Sequence, residues 1–455
     1  MNSEKQRSVN LYMRNFGCKT NFSDLFSILG RIRKSNEIKI TDMKESDIVI
    51  LNSCSVTKDA EKELNKWIRK AKREGKKVIV TGCLPNLKKI ADADLSIGSG
   101  NYNKISPEIL QKVINEKTEN KTEIRLNGLI LDNSIVEDDV DFYDYESFPR
   151  SRAYLKIQEG CDKFCTFCSI PLTRGLPRFV SEEKVISKIK EFIERNFKEI
   201  VLVGTHLALY GKNGKNTGEL NLGRLVKKIA KEFQGEKIKL RFSSLSPKEI
   251  DEQMLEGLEL GKNIFCPHFH ISVQSGSNRI LKLMRRWHTF EDFINDSEKL
   301  LKLFPDACIG TDIIIGFPGE TDKDFEETLR NIQSSEVGHI HVFPFSPRPK
   351  TPASFMRKVP EKEINERVKT MLKIANEKRE KFFRRFVGKT LETLVEDVNG
   401  KIEGTTPNYI NVLIENPSHN NKTKIEKGQI LFCNIKDVKK NESKIYATAE
   451  IAQTE

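Results

Sequence analysis

The sequence predicts an α/β protein that ends in a small all-β module. Residues 1–115 alternate between apolar strands and helical segments, and residues 150–360 repeat a strand followed by a helix about six times. After Gly388 only short, β-branched runs follow. Such alternation implies parallel sheets covered by helices. At 455 residues the chain is long enough for two or three domains.

The N-terminal part has apolar runs at 11–16, 48–52 and 78–81, which we interpret as strands of a parallel sheet. An acidic stretch, EDDVDFYDYE, follows at 137–146 without helical or strand periodicity. We therefore assign residues 1–136 to an N-terminal α/β domain and residues 137–150 to an acidic linker.

The middle part, residues 151–386, predicts a partial TIM-like barrel of six βα units with its active site at the C-terminal ends of the strands. A doubly wound open sheet is the competing architecture. A long basic helix at 361–386 closes this part. The predicted strands cover residues 154–157, 200–203, 238–243, 268–273, 309–315 and 339–345.

The C-terminal part, residues 387–455, has short β-branched runs separated by turn pairs such as Asn399-Gly400 and Asn416-Pro417. This pattern predicts a small all-β barrel. The predicted strands cover residues 391–397, 409–414, 430–435 and 445–451.

The charge balance favours a polyanionic partner, because the net charge is +12. Residues 58–89 and 361–389 carry most of the excess, although helical spacing makes part of it a solvated helix face. No apolar run is long enough to span a bilayer, and the N-terminus has no signal core, so we expect a cytoplasmic protein. In that compartment nine cysteines indicate metal or redox chemistry rather than disulfides.

Three cysteines within eight residues, Cys161, Cys165 and Cys168, follow the first predicted barrel strand. Three thiolates can hold three corners of a cubane cluster and leave the fourth iron open to a ligand. A structural zinc is the alternative, but closed zinc sites use four ligands and no second pair follows. The CxxxCxxC pattern resembles that of radical S-adenosylmethionine (SAM) enzymes.

A second set, Cys18, Cys54 and Cys83, lies one to two residues beyond three predicted parallel strands. The C-terminal ends of parallel strands share one sheet edge, so we expect these thiols to gather there and hold a second cluster. Lone cysteines are more often packing residues. We predict that role for Cys266, Cys308 and Cys433.

Together these features resemble the methylthiotransferase family, which combines a three-cysteine domain, a radical SAM barrel and a TRAM-type β-barrel. The resemblance implies two [4Fe–4S] clusters, SAM and transfer of a methylthio group to an unreactive carbon. It rests on Phe16–Asn21 (FGCKTN), Asn52–Cys54 (NSC), Thr81–Cys83 (TGC), His270–Ser277 (HISVQSGS), Gly316–Thr321 (GFPGET) and Phe343–Pro352 (FPFSPRPKTP).

Three branches of that family act on threonylcarbamoyladenosine in tRNA, on isopentenyladenosine at the same tRNA position, or on a ribosomal protein. Gly204-Thr205-His206, the short segment Arg174–Arg178 and the pair Cys18-Lys19 resemble the first branch. That branch implies the anticodon stem-loop at position 37 as partner and an electron donor such as flavodoxin or ferredoxin. The sequence does not identify the sulfur donor.

We expect SAM to contact residues beside the cluster cysteines and at the C-terminal ends of the predicted barrel strands, and the substrate to contact His206 and Arg174. Phe167 could instead be a core residue, and His206 a capping or packing one. Two other hypotheses about the function remain open: a radical SAM methyltransferase without the second cluster, and a non-enzymatic RNA-binding zinc protein. The residues assigned to SAM are Phe167, Gly204, Thr205, Gln274, Ser275, Ile314 and Gly316, and those assigned to the substrate are His206 and Arg174.

The C-terminal module is expected to bind RNA, yet residues 390–455 hold eight lysines against ten acidic residues. Its contribution to RNA binding would depend on a local basic patch at Lys436, Lys439 and Lys440. Phosphate affinity follows local cation number. We therefore expect the basic helices at 58–77 and 361–389 to share the RNA contacts.

Overall fold

The computed structural model describes residues 8–33, 38–115, 122–124, 134–146, 151–212, 220–415, 425–441 and 444–452. The N-terminal part contains β1 (Val9–Asn15), α1 (Lys19–Ile32), β2 (Ile38–Ile40), β3 (Ile48–Ser53), α2 (Lys58–Arg73), β4 (Lys77–Gly82), β5 (Leu95–Gly98), α3 (Pro107–Asn115) and β6 (Thr122–Ile124). Its strands form one parallel sheet in the order β2-β1-β3-β4-β5-β6. The predicted parallel α/β class is confirmed, and β2, β5 and β6 are additional to the predicted strands.

The acidic stretch contains a helix, α4 (Ser134–Asp141), and it is packed against the rest of the protein. Val140 and Tyr143 are buried, and the Asp139 carboxylate lies 2.7 Å from the amino group of Lys156. The segment between the N-terminal sheet and the barrel is therefore part of the folded structure, because its acidic side chains meet buried cations.

The middle part forms the predicted partial barrel. One sheet has four strands in the order 239–242, 199–204, 153–159 and 178–179, the last of which is antiparallel to its neighbour. The other has three parallel strands in the order 268–270, 308–315 and 337–344, and the parallel bridges Leu240↔Phe265 and Leu245↔Ile271 join the two sheets. The sequential strand order excludes a doubly wound sheet, whose order reverses at a switch point. The elements are β7 (Ala153–Glu159), α5 (Ile170–Arg174), β8 (Arg178–Phe179), α6 (Glu182–Glu194), β9 (Glu199–Gly204), α7 (Leu222–Phe233), β10 (Lys239–Phe242), α8 (Glu252–Leu260), β11 (His268–His270), α9 (Asn278–Leu283), α10 (Phe290–Leu303), β12 (Cys308–Ile315), α11 (Asp322–Ser334), β13 (Val337–Pro344) and α12 (Glu361–Arg384).

The C-terminal part is a closed five-stranded barrel, as predicted for a TRAM-type module. A strand at 402–405 was not predicted, and the strand predicted to start at 409 starts at Asn411, because Tyr409 has a positive φ of 69°. The strands are β14 (Thr390–Asp397), β15 (Ile402–Thr405), β16 (Asn411–Ile414), β17 (Ile430–Lys440) and β18 (Ile445–Ile451). No helix among the described residues is long and apolar enough to cross a membrane.

A fully buried ionic cluster joins α1 to β7. The amino group of Lys156 lies 2.8 Å from one Asp24 oxygen, and the guanidinium of Arg174 lies 2.7 Å from the other. Glu159 accepts from Arg174 and lies 3.4 Å from Lys156. Because each charge has an opposite partner, the cluster fixes the N-terminal sheet against the barrel at one angle.

Replacing Lys156 with methionine leaves buried carboxylates without their cation, which costs about 3–5 kcal/mol. We expect Lys156→Met to lower the free energy of unfolding in urea by about that amount. Lys190→Met is the matched control, because Lys190 pairs with Glu232 at the surface and exposed pairs contribute at most about 1 kcal/mol. Equal losses in the two variants would contradict the interpretation.

Candidate functional site

The first cysteine loop leaves the C-terminal end of β7. Gly160 has φ +81°, and an added Cβ would lie 2.0 Å from the carbonyl oxygen of Leu176, so only glycine allows the chain to turn here. The amide of Cys161 donates to the carbonyl of Gly175 over 3.1 Å, and that of Cys168 donates to Cys165 over 3.0 Å. The three predicted thiols thus share one compact loop.

The second set lies at the C-terminal edge of the N-terminal sheet. Cys18, Cys54 and Cys83 follow β1, β3 and β4, which are neighbours in that sheet. Their thiols are close enough to influence one another: burial raises the pKa of Cys54 to about 12, and Cys18 and Cys83 add to the rise. The structure therefore brings together three cysteines that 36 and 29 positions separate in sequence.

The two loops face each other. The hydroxyl groups of Ser55 and Ser169, one residue beyond Cys54 and Cys168, are 3.1 Å apart. The charge of Cys83 also contributes to the raised pKa of Cys168. Across the same gap, Asn86 donates to the carbonyl of Thr173 over 2.7 Å. Both cysteine sets therefore border one interior region.

The surroundings of the sulfur atoms fit anionic iron–sulfur clusters. Burial raises the pKa of Cys161 and Cys168 to about 12, so these thiols stay protonated at neutral pH unless a metal ion replaces the proton. N–H groups point at the sulfurs, which favours negative charge on them. These donors are Arg174 Nε at 3.2 Å from Cys83 Sγ, Arg286 Nη1 at 3.6 Å from Cys165 Sγ, Val56 N at 3.3 Å from Cys54 Sγ and Ile170 N at 3.5 Å from Cys168 Sγ.

His206 lies beside the first loop. Its Nδ1 is 3.6 Å from Cys161 Sγ, its Nε2 is 2.7 Å from a carboxylate oxygen of Glu249, and its ring stacks on Trp287 at 5.2 Å. The ring is buried and fully partnered. It is therefore better placed to orient Cys161 than to touch a substrate.

Arg174 is completely buried, with its guanidinium shared among Asp24, Glu159 and Cys83. This position leaves no surface for a substrate, contrary to the contact suggested by resemblance. The reason is that Asp24, 150 residues away in sequence, takes one face of the guanidinium. Arg174 instead supports the sulfur of Cys83.

A cavity of about 260 Å³ lies between the two cysteine loops and the barrel. Of the seven residues predicted to meet SAM, Phe167, Gln274 and Ile314 line this cavity together with Cys168. A larger cavity of about 1430 Å³ lies between the barrel and the C-terminal module, but no cysteine lines it. The cavity with the thiol is therefore the better candidate for cofactor binding.

The other four residues predicted to meet SAM do not line that cavity. The Thr205 hydroxyl donates to the carbonyl of Gly160 over 2.8 Å, and the amide of Gly204 donates to Ser243 over 3.3 Å. Ser275 is buried against Thr328 and Ser277, where its hydroxyl serves local structure. The amide of Gly316 donates to Glu320.

A cluster of two histidines and a carboxylate borders the cavity, and sequence analysis missed it. His270 Nε2 lies 3.0 Å and His341 Nδ1 3.3 Å from the same oxygen of Asp312, whose other oxygen accepts from Ser272 over 2.7 Å. Although burial opposes it, His270 and His341 hold the pKa of Asp312 well below its usual range. These three ligand atoms could hold a metal ion.

Further residues of the site were also missed. Arg348 lies within the quoted Phe343–Pro352 motif and is buried against the carbonyl of Ser55, and Phe343 of the same motif lines the cavity. Val56 and Thr57 bring the N-terminal part to the cavity wall. The Phe343–Pro352 motif was the sequence signal that could have identified these residues. The contact of Arg348 with Ser55 could not be predicted, because the two residues are far apart in sequence.

Comparison with known proteins supports this arrangement. Residues 155–332 match the radical SAM superfamily and residues 10–96 match the Uncharacterized protein family UPF0004. Among solved structures, the radical SAM methyltransferase TsrM from Kitasatospora setae superimposes with a TM-score of 0.54 over 76% of this chain and 75% of that chain. At 12% sequence identity this likeness concerns the fold alone.

Curated relatives cover most of the chain. The threonylcarbamoyladenosine tRNA methylthiotransferase MtaB of Aquifex aeolicus is 35% identical over 87% of this chain and 94% of its own length. The tRNA-2-methylthio-N(6)-dimethylallyladenosine synthase of a Wolbachia strain is 31% identical over 92% of this chain and 97% of its own length. With the cysteine loops, the barrel and these relatives taken together, the chain belongs to the radical SAM methylthiotransferase family, whose enzymes use SAM and [4Fe–4S] clusters.

Proposed function

We propose that this enzyme transfers a methylthio group to C2 of N6-threonylcarbamoyladenosine at position 37 of tRNA. The observation that carries the proposal is the order of the relatives: four named for threonylcarbamoyladenosine are 32–35% identical, whereas four named for dimethylallyladenosine are 29–31% identical. Gly204-Thr205-His206 and Cys18-Lys19 support the same choice.

We assign one cluster to Cys161, Cys165 and Cys168 and the other to Cys18, Cys54 and Cys83. SAM on the first would supply a deoxyadenosyl radical, and the second would present the sulfur that is transferred. The facing loops support this division, because the two reagents must act on one carbon atom. Neither assignment needs an acid or base side chain, since the cofactors carry the difficult step.

The protein's own residues orient these groups. Arg174 and Arg286 direct N–H groups at cysteine sulfurs, and His206 stands against Cys161. Phe167 and Ile314 offer apolar surface in the cavity for an adenine ring, with Gln274 as a polar contact. The other four residues support the same region, Gly204 and Gly316 through their backbone amides and Thr205 and Ser275 through their hydroxyl groups.

RNA would contact exposed cations of the N-terminal part and α12. On the C-terminal module Lys436 pairs with Glu450 and Lys439 with Glu415, so that patch is partly neutralised. Free cations are more effective for phosphate. The exposed basic side chains that form no ion pair with another described residue are Lys58, Lys66, Arg69, Lys70 and Arg73 on α2, and Lys362, Lys369, Lys373 and Lys381 on α12.

The substrate assignment is tested by mass spectrometry of tRNA nucleosides from cells with and without the gene. We expect the methylthio form of threonylcarbamoyladenosine to disappear on deletion, and to return with the wild-type gene but not with Cys165→Ala. Persistence of that nucleoside, with loss of methylthio-isopentenyladenosine instead, would show that the isopentenyl branch is correct.

The cluster assignment is tested by iron and sulfide analysis after anaerobic reconstitution. The triple variant Cys161/Cys165/Cys168→Ala should keep about half of the iron and sulfide, because the other three cysteines hold a cluster independently. The control Cys266→Ala, at a buried cysteine of the barrel, should keep all of it. Complete loss in the triple variant would contradict the second site, and zinc without sulfide would favour the RNA-binding alternative.

A further inference from the structure

The interior of the barrel below the cysteine loops is polar, and we call it the lumen. Asp312 lines the cavity above it, and strand alternation puts Gly310 on the same face. His339 pairs with Gly310 on the neighbouring strand, and His268 starts β11 on the other side. Tyr409 of the C-terminal module forms the floor, with its ring stacked on His268 at 4.1 Å.

Lys19 of α1 faces this lumen. Phe22, one helical turn later on the same face, stacks on Tyr154 of β7 with ring centroids 5.7 Å apart. Lys19 also lies near enough to His268, Arg241 and Arg152 for their charges to interact. Because Lys19 directly follows Cys18, its amino group extends from the edge of the second cysteine set into the barrel.

The ammonium group of Lys19 has no hydrogen bond or ion pair with any described residue. The nearby carboxylate of Glu199 is already bonded to two arginines. One oxygen accepts from Arg241 Nε at 2.8 Å and Arg152 Nε at 2.7 Å, and the other accepts from Arg241 Nη2 at 3.0 Å. Lys19 is half-buried, and its ammonium group lies near two arginines without a hydrogen bond to the carboxylate of any described residue, so it can pair with an anion that binds there.

Two histidines leave polar atoms free in the same space. Both ring nitrogens of His268, which is 2% exposed, lack a hydrogen-bond partner, and so does Nδ1 of the buried His339. Whichever tautomer His268 adopts, one of its nitrogens carries a proton that it can donate. Buried polar groups are nearly always satisfied in folded proteins. These unsatisfied atoms are therefore available to a bound ligand or to buried water.

We propose that the lumen binds a carboxylate carried by the substrate, with Lys19 as its ion-pair partner and His268 as a hydrogen-bond donor. The inference rests on the proposed function, because the threonyl group on N6 of the modified adenosine ends in a carboxylate. An isopentenyl group has no charge and would leave Lys19 unpaired. The lumen would therefore distinguish the two nucleosides by charge.

The test is a double-mutant cycle between protein and RNA, measured as the Kd of a labelled anticodon stem-loop by fluorescence anisotropy. One RNA carries N6-threonylcarbamoyladenosine and the other its uncharged carboxamide analogue. For the reconstituted wild type we expect about 30-fold weaker binding of the carboxamide, since losing one partner of a buried charge pair costs at least about 2 kcal/mol. Lys19→Met should bind both RNAs equally weakly.

Two controls separate the possible failures. Lys39→Met, at an exposed lysine of β2, should behave like wild type, and unchanged iron content in Lys19→Met shows that the neighbouring Cys18 still holds its cluster. If Lys19→Met keeps the full preference for the carboxylate, the lumen assignment is wrong. If wild type shows no preference but methylthiolates isopentenyladenosine, the proposed function fails as well.

Discussion

The buried ionic cluster between α1 and β7 is the constraint on which the rest of the structure depends. Asp24 binds Lys156 and Arg174 at once, and Arg174 also donates a hydrogen bond to the sulfur of Cys83 and so holds that sulfur in place. Burying charges is tolerable only when each finds a partner in good geometry. The ionic cluster therefore fixes the N-terminal sheet in one position against the barrel. In that position the two cysteine loops face each other.

The same placement gives the lumen its chemistry. In this placement α1 packs on β7 and β9, two neighbouring strands of the barrel. The helix brings a lysine into an interior already lined with arginine and histidine, while the C-terminal module closes the bottom with Tyr409. The N-terminal part, the barrel and the C-terminal module thus build one site. The cysteine loops lie at one end of it, and the charged lumen lies between them and Tyr409.

Much of this could be predicted from sequence, for physical reasons. Parallel strands end at one edge, so Cys18, Cys54 and Cys83 were expected together although they are far apart in sequence. Strands of three or four residues, such as β2 and β15, have too little pattern to be recognised. The burial of Arg174 could not be predicted because its partner Asp24 is remote in sequence, and the positions of the lumen histidines depend on a strand register that the sequence does not reveal.

The central claim is that two clusters lie side by side across one cavity. It is tested most directly by electron paramagnetic resonance of the fully reduced holoenzyme, compared with the two triple-alanine variants that each keep a single cluster. Mutual proximity predicts a spectrum broadened by spin–spin coupling beyond the sum of the two variant spectra. A holoenzyme spectrum equal to that simple sum would contradict the account.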